Sequence, residues 1–293
     1  MDTRLTQHPL GFWTLADKPG AEELSDYYAN KYYQQACGSY ELQYSDEERA
    51  YFRTKLAQRH AVLQRIAPHG HTMLDVGCGE GFALAYFREQ GWTVKGFDFS
   101  AAGVESQNPA CRDALVAGDV FALLDAEIAA GRKYDVVWLQ NVLEHVLDPV
   151  ALLVSLNSLL SQEGVAVITV PNDFSALQRE ALSQGHIDQE FWVALPDHLS
   201  YFDHVSLPAT AKGTGWDCVE LLGDFPIDWF LFHSGSNYVR DRTLGKAAHR
   251  ARVQLENLID RQPTDAVLDF WAAAGRLGIG RDLTCFLKHS AEP

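Results

Sequence analysis

Short apolar runs alternate with helical patterns through the middle of the chain. The runs predict five strands, and the segments between them carry apolar residues at helical spacing. Strands that are apolar almost throughout are typical of a parallel sheet covered by helices on both faces. Right-handed crossovers would place the loops that follow the strands at one sheet edge, where α/β proteins bind ligands. The predicted strands are 71–76, 93–99, 114–119, 134–140 and 164–171, and the predicted helices are 81–90, 121–130 and 149–160.

The pattern changes on both sides of this region. A helix is predicted from Asp46 to Ile66, because Ser45 and Glu48 have the spacing of a capping box and Pro68 follows the helix. Residues 171–205 have the character of a long, aromatic-rich loop or lid. Beyond it the patterns predict strands at 217–223 and 281–289, with two helices within 238–278.

Composition narrows the class of partner and the expected compartment. The formal net charge is −15, whereas proteins that bind a nucleic-acid backbone usually carry an excess of Lys and Arg. The five cysteines are widely spaced and form no CxxC pair, a pattern typical of reduced thiols. No signal peptide and no membrane-spanning run is visible. We therefore expect a cytoplasmic protein with no nucleic-acid partner and no membrane span; the oligomeric state stays unknown.

The most informative segment is LDVGCGEG, residues 74–81. A predicted strand ends at Val76, and Gly77 and Gly79 permit a tight turn with close ligand approach before a helix begins. A dinucleotide fold would need a small residue at the third glycine position of G-x-G-x-x-G, and Phe82 stands there instead. No Lys-Ser/Thr pair follows the glycines, which excludes a Walker phosphate loop.

Carboxylates end the next two predicted strands. Asp98 ends the second strand, where an acid can accept hydrogen bonds from ribose hydroxyls, and Asp119 ends the third, where it can accept from an adenine amino group. Either aspartate alone could equally cap the following helix. The succession of a glycine turn and two acids at three strand ends favours a site for an adenosine-containing cofactor.

These motifs together resemble those of class I S-adenosylmethionine-dependent methyltransferases. LDVGCGEG, GFDFS, AGD, DVVWLQNVLEHVLDP and GVAVITVPN are similar to the successive motifs of that family, above all of the subgroup with ubiquinone-biosynthesis and sugar methyltransferases. The resemblance covers residues 70–175 and extends more loosely through 198–207. It implies an α/β, Rossmann-like, doubly wound sheet of seven mostly parallel strands. Its last strand, antiparallel, would be DLTCFLK, and a helical or loop cap would complete the fold.

The resemblance also implies a set of cofactor contacts. Gly77, Cys78 and Gly79 would lie under S-adenosylmethionine, and Asp75 would support its amino-acid end. Asp98 and Phe99 would hold the ribose, and the product would be S-adenosylhomocysteine. The remaining implied contacts are Asp119 and Val120 at the adenine, with Gln140 and Asn141 beside the methionyl part.

Candidate catalytic groups follow the fourth and fifth strands. Methyl transfer needs a base only when the acceptor must lose a proton, and His is suited to that role near neutral pH. The candidates are Glu144, His145 and His198, and shaping of the pocket is the alternative interpretation for each. The spacing of His186, Asp188, His198 and His204 matches no common metal motif, so we expect no metal ion.

The resulting hypothesis is a methyltransferase for a small-molecule or saccharide acceptor, with transfer to oxygen or nitrogen. An NAD-type oxidoreductase and a non-catalytic S-adenosylmethionine-binding protein remain as alternatives. Residues 1–66 would form an N-terminal helical lid, in which Tyr28 and Tyr32 either line the acceptor pocket or pack within the lid. Residues 67–175 would bind the cofactor, and residues 176–293 would supply the acceptor cap and closing strands of the same domain.

Overall fold

The computed structural model describes residues 2–20 and 43–291, and its centre is a seven-stranded sheet. The strands of this sheet are β3 (Thr72–Val76), β4 (Thr93–Asp98), β5 (Leu115–Ala117), β6 (Tyr134–Gln140), β7 (Leu160–Pro171), β9 (Trp216–Gly223) and β10 (Asp282–His289). Their order across the sheet is β5-β4-β3-β6-β7-β10-β9. The strands from β5 to β7 in this order pair in parallel, and β10 is antiparallel to both of its neighbours. This arrangement confirms the predicted fold class, including the antiparallel last strand.

Helices cover both faces of the sheet. Along β7, Val165 and Val167 point into one apolar cluster, whereas Ala166 and Ile168 point into the other. Both faces being buried explains why the strands are apolar almost throughout. The helices are α1 (Asp46–Ile66), α2 (Phe82–Glu89), α3 (Ala102–Gln107), α4 (Val120–Ala129), α5 (Pro149–Asn157), α6 (Ala176–Ser183), α7 (Ser206–Gly213), α8 (Gly245–Ile259) and α9 (Thr264–Arg276).

Helix α1 begins as the sequence predicts. The Ser45 hydroxyl accepts the Glu48 backbone N–H, and the Glu48 carboxylate accepts the Ser45 N–H, which completes the capping box. Its inner face packs Leu56, Val62 and Leu63 into the core beside α2 and the sheet. The same face carries Lys55 and Arg59, which reach the edge of the sheet where the parallel strands end.

Residues 171–205 differ from the predicted continuous loop. Helix α6 forms within them, since Ser175 and Gln178 make a second capping box that the prediction missed. A two-residue strand, β8 (Ser200–Tyr201), pairs with the N-terminal hairpin of β1 (Leu5–Gln7) and β2 (Trp13–Leu15). The hairpin was also not predicted, because its strands are short and polar residues dominate that part of the sequence. Together these elements hold residues 198–201 against the end of β6.

Two sequence predictions concern the tyrosines of the N-terminal segment and the absence of a membrane span. Tyr28 and Tyr32 lie outside the described residues, so their place at the acceptor pocket or within the lid stays a prediction. Among the residues that the structure describes, no helix combines the length and the apolar character needed to cross a bilayer.

Candidate functional site

The glycine turn follows β3 and has the backbone shape that the sequence predicts. Gly77, Gly79 and Gly81 have φ of +73°, +53° and +74°, in the left-handed region that side chains rarely adopt. A Cβ on Gly77 would lie 2.6 Å from Cγ2 of Val142, so the turn also packs too closely for any larger residue. Helix α2 then begins at Phe82, the bulky residue at the position where a dinucleotide fold requires a small one.

Asp98 holds this turn to the neighbouring strand. Its Oδ2 accepts the Gly79 N–H at 2.8 Å, and its Oδ1 accepts the Ser100 N–H at 3.0 Å. The parallel pairing of β3 with β4 places the carboxylate beside the glycine turn, as predicted. Its contact with a ribose remains a prediction, because the hydrogen bonds in the structure are made within the chain.

Beneath the turn lies a second, more deeply buried carboxyl group. Asp75 is 2% exposed, and its Oδ1 has no hydrogen-bond partner among the described residues. Burial, with a further contribution from the Asp98 charge, raises the pKa of Asp75 to about 8. Asp75 therefore carries a proton near neutral pH in the absence of a ligand, and it offers an unused polar group at the site.

The other predicted cofactor residues occupy the same sheet edge with different surroundings. Asp119 is exposed and caps α4, because its Oδ1 accepts the N–H groups of Phe121 and Ala122. Cys78 is buried and lies toward Gly96, where an added Cβ would meet its Sγ at 2.8 Å. Asn141 follows β6 with φ of +55°, in the strained left-handed region. Phe99 is half-buried, Val120 is buried and Gln140 is exposed.

Arg59 joins the site from α1 and was missed by the sequence analysis. Its side chain is buried, it lies over the Trp138 ring, and its Nη1 donates to Oε1 of Gln140 at 2.8 Å. Among the described residues no carboxylate lies within 4.0 Å of the Arg59 guanidinium, the distance of an ion pair. Arg59 is therefore a buried cation without an ion-pair partner in the described chain. A basic residue three positions after Leu56, on the helix face that also carries Val62 and Leu63, was the available signal.

The predicted catalytic residues lie close together just beyond the carboxyl end of β6. The N–H groups of Leu199 and Ser200 donate to the Glu144 carbonyl at 2.8 and 3.1 Å, which ties the 198–201 segment to the loop after β6. As a result, the rings of His145 and His198 meet edge to face with centroids 4.9 Å apart. Residues that are distant in sequence thus form one cluster at the carboxyl edge of the sheet.

Both histidines of this cluster are neutral near pH 7. Burial is the main cause that lowers the pKa of each to about 4; His198 contributes at His145, and Arg281 contributes at His198. His145 donates its Nδ1–H to the Asp197 carbonyl at 2.6 Å, which leaves Nε2 as the acceptor nitrogen. Imidazoles with so low a pKa are weak bases, so the lowered pKa makes His145 and His198 better suited to orienting groups than to taking up a proton.

Glu144 lies beside these rings in an unusual state for a carboxyl group. It is 1% exposed, and within the part of the chain that the structure describes neither of its carboxyl oxygens has a hydrogen-bond partner. Burial raises its pKa well above the ordinary value. One donor atom each from Glu144, His145 and His198 lies within 4.8 Å of the others, a grouping that the sequence analysis did not consider for a metal. The expectation that the protein holds no metal stays a prediction.

Comparison with known proteins identifies the family. The family model of the methyltransferase domain matches residues 47–221, more than half of the chain. The chain belongs to the methyltransferase domain family. The predicted resemblance to class I S-adenosylmethionine-dependent methyltransferases is thereby confirmed, and the matched region includes the glycine turn, Asp98 and the cluster around His145.

Individual relatives of the methyltransferase domain match only part of this chain, at low sequence identity. A ubiquinone biosynthesis O-methyltransferase of Rhodopseudomonas palustris (strain TIE-1) is 31% identical over 103 residues, which are 35% of this chain and 41% of that protein. One from Cupriavidus pinatubonensis is 26% identical over 158 residues, which are 53% of this chain and 63% of the relative. The chain thus spans less than half of the length of the Rhodopseudomonas relative.

A solved structure supports the fold. The plantazolicin methyltransferase BpumL, solved in complex with SAH, aligns with a TM-score of 0.52 over 91% of this chain and 94% of that one. The sequence identity is 17%, so the likeness concerns the fold alone.

Proposed function

We propose that this protein is an S-adenosylmethionine-dependent methyltransferase that acts on a hydroxyl or amino group of a small-molecule or saccharide acceptor. The observation that carries the proposal is that the glycine turn, Asp98 and the buried guanidinium of Arg59 lie at one edge of the sheet. Among the described residues this guanidinium forms no ion pair with a carboxylate. Membership of the methyltransferase domain family supports it. The named relatives are O-methyltransferases, so oxygen acceptors are the first to test.

The residues present fit the chemistry of this cofactor. Asp98 would accept hydrogen bonds from the ribose hydroxyls, and Asp119, with Val120, would border the adenine. Arg59 would pair with the carboxylate of the methionyl part, which supplies the anion that this buried cation lacks. Asp75 would provide its unpaired oxygen beneath the amino-acid end, with Gln140 and Asn141 alongside.

The protein contributes alignment and exclusion of water more than bond-making groups. When bound, S-adenosylmethionine supplies a methyl group on a positively charged sulfur, which departs with the electron pair of the broken bond. His145, His198 and Glu144 lie just beyond β6, where they would contact the acceptor and fix its orientation. Their burial keeps water away from the reacting atoms.

Calorimetry tests the cofactor assignment. We expect S-adenosylmethionine and S-adenosylhomocysteine to bind, and Asp98→Ala to weaken that binding by about 1–3 kcal/mol through the loss of charged hydrogen bonds. Asp217→Asn, on β9, is the control, because its exposed carboxylate is at the opposite edge of the sheet. The absence of binding heat at saturating concentrations of both compounds would falsify the proposal.

Two rivals require separate measurements. Thermal stabilisation by NAD rather than by S-adenosylmethionine would indicate an oxidoreductase, against which the bulky Phe82 already argues. Stabilisation by S-adenosylmethionine without methyl transfer to any of a broad panel of hydroxyl and amine acceptors would indicate a non-catalytic binding protein.

A further inference from the structure

Asp282 occupies a position that neither the sequence motifs nor the family resemblance points to. It is the first residue of β10 and lies opposite Pro171, the last residue of β7. Because β10 runs antiparallel to β7, its first residue lies at the edge where the parallel strands end. Asp282 therefore shares that edge with the glycine turn, Gln140 and the His145 cluster.

Hydrogen bonds to the Asp224 side chain and close packing at Gly280 fix the start of β10. Oδ1 of Asp224 accepts the N–H groups of Arg281 and Asp282 at 2.7 and 2.8 Å. The preceding Gly280 has φ of +139°, and a Cβ there would lie 2.7 Å from the Asp224 nitrogen. The position of Asp282 is thus set by close packing, as a binding residue requires.

The side chain of Asp282 has no partner of its own within the described structure. No hydrogen bond to its carboxylate is formed there, and no cationic atom lies within 4.0 Å of it. Two neighbouring cations are already engaged, since Arg281 pairs with Asp173 at 2.8 Å and Lys55 pairs with Asp224, and Arg59 lies beyond ion-pair distance of Asp282. Asp282 is only partly buried, so its oxygens remain accessible to a ligand.

A second unpaired carboxyl group marks the same region. Glu144 is buried with both oxygens unpartnered, and the Asp282 charge is near enough to contribute to its raised pKa. Asp282 also acts on Arg59, where its charge opposes the lowering of the guanidinium pKa by burial. The sheet edge that carries Asp282 and Glu144 thus presents carboxyl oxygens that no donor in the described chain satisfies.

We propose that Asp282 binds the nucleophilic hydroxyl or amino group of the acceptor and takes up the proton that this group loses, an assignment that rests on the proposed function. In this step the acceptor oxygen or nitrogen forms a bond to the transferred methyl carbon, and the carbon–sulfur bond breaks with its electron pair left on sulfur. The proton that the acceptor loses passes to the Asp282 carboxylate, so charge and atoms balance. Burial, followed by the neighbouring Asp224 charge, raises the pKa of Asp282, which makes its carboxylate a stronger base than an ordinary aspartate.

A pair of cofactor analogues tests this assignment without a known acceptor. Sinefungin carries an ammonium group where S-adenosylmethionine carries its sulfonium methyl, whereas S-adenosylhomocysteine has no group at that position. We expect calorimetry to show that the wild-type protein binds sinefungin at least about tenfold more tightly, because the ammonium gains a charge-assisted hydrogen bond. Asp282→Asn should remove most of this preference and leave the affinity for S-adenosylhomocysteine unchanged.

The control variant Asp217→Asn and the affinities of the wild-type protein determine how the result is read. Asp217→Asn should retain the full preference for sinefungin, since that carboxylate lies at the far edge of the sheet. Equal affinity of the wild-type protein for the two analogues overturns the assignment, even if Asp282→Asn fails to fold. An unchanged preference in a folded Asp282→Asn variant overturns it as well. If the wild-type protein binds neither analogue, it is the proposed function that fails.

Discussion

At the scale of single residues, glycines decide how closely the cofactor turn is packed. Gly103 lies in α3, and a Cβ there would stand 2.5 Å from the Gly79 carbonyl oxygen, a distance that only movement of the turn could relieve. We expect Gly103→Ala to lower the affinity for S-adenosylhomocysteine by at least about tenfold and to cost about 1–3 kcal/mol of stability through overpacking. Calorimetry and urea unfolding measure the two effects.

Gly245→Ala is the matched control for this prediction. Gly245 begins α8, and no described residue outside its own helix has a heavy atom within 4 Å of the added Cβ. Alanine there should leave binding unchanged and stability equal or slightly higher, because alanine is the better helix former. Wild-type affinity in Gly103→Ala would show that the turn adapts without cost.

At the scale of elements, a buried ion pair fastens α1 to the edge of the sheet. Lys55 is 12% exposed and Asp224 8%, and they join α1 to the residue after β9. Burial alone would raise the pKa of Asp224, but Lys55 and two backbone hydrogen bonds hold it below the ordinary value. A lowered pKa means that this stabilisation is present above the ordinary carboxyl pKa and is lost as pH falls through the folded value.

Removing one member of this pair tests its contribution. We expect Lys55→Met to lower the free energy of unfolding by about 3–5 kcal/mol, because the buried carboxylate loses its counter-ion. Arg65→Met on the same helix should cost less than about 1 kcal/mol, since the Arg65–Asp265 pair is exposed. Urea unfolding gives both values, and similar losses in the two variants would show that burial of the pair has no energetic weight.

At the scale of the whole molecule, the buried Asp75 couples stability to pH. The folded state keeps its proton up to about pH 8, whereas the unfolded chain releases it near the ordinary carboxyl pKa. The unfolded state therefore binds fewer protons between these values, and this group makes wild-type stability fall as pH rises. Asp75→Asn lacks the effect.

The difference in unfolding free energy between the two proteins measures this coupling. It should shift in favour of Asp75→Asn by up to about 1.4 kcal/mol per pH unit between about pH 4 and 8, as expected for one proton. Urea unfolding without ligand across this range provides the measurement. A difference that stays constant with pH would show that Asp75 titrates alike in both states.

The sequence by itself determined the order of the seven sheet strands and the location of the cofactor turn. Apolar runs, the capping box at Ser45 and the glycines at 77–81 act through neighbouring residues, so they are visible in a short window of sequence. The same local signal existed for α6 in Ser175 and Gln178, where the prediction failed because the surrounding aromatic residues suggested a loop.

Only the tertiary structure decided which polar groups meet and which remain unpaired. His145 and His198 come into contact because the backbone of residues 199–200 bonds to Glu144 across a long stretch of chain. Arg59 and Asp282 have no local motif, and their significance comes from burial and from partners that are missing or already engaged. Desolvation and charge pairing depend on distances in space, and spacing along the sequence does not encode them.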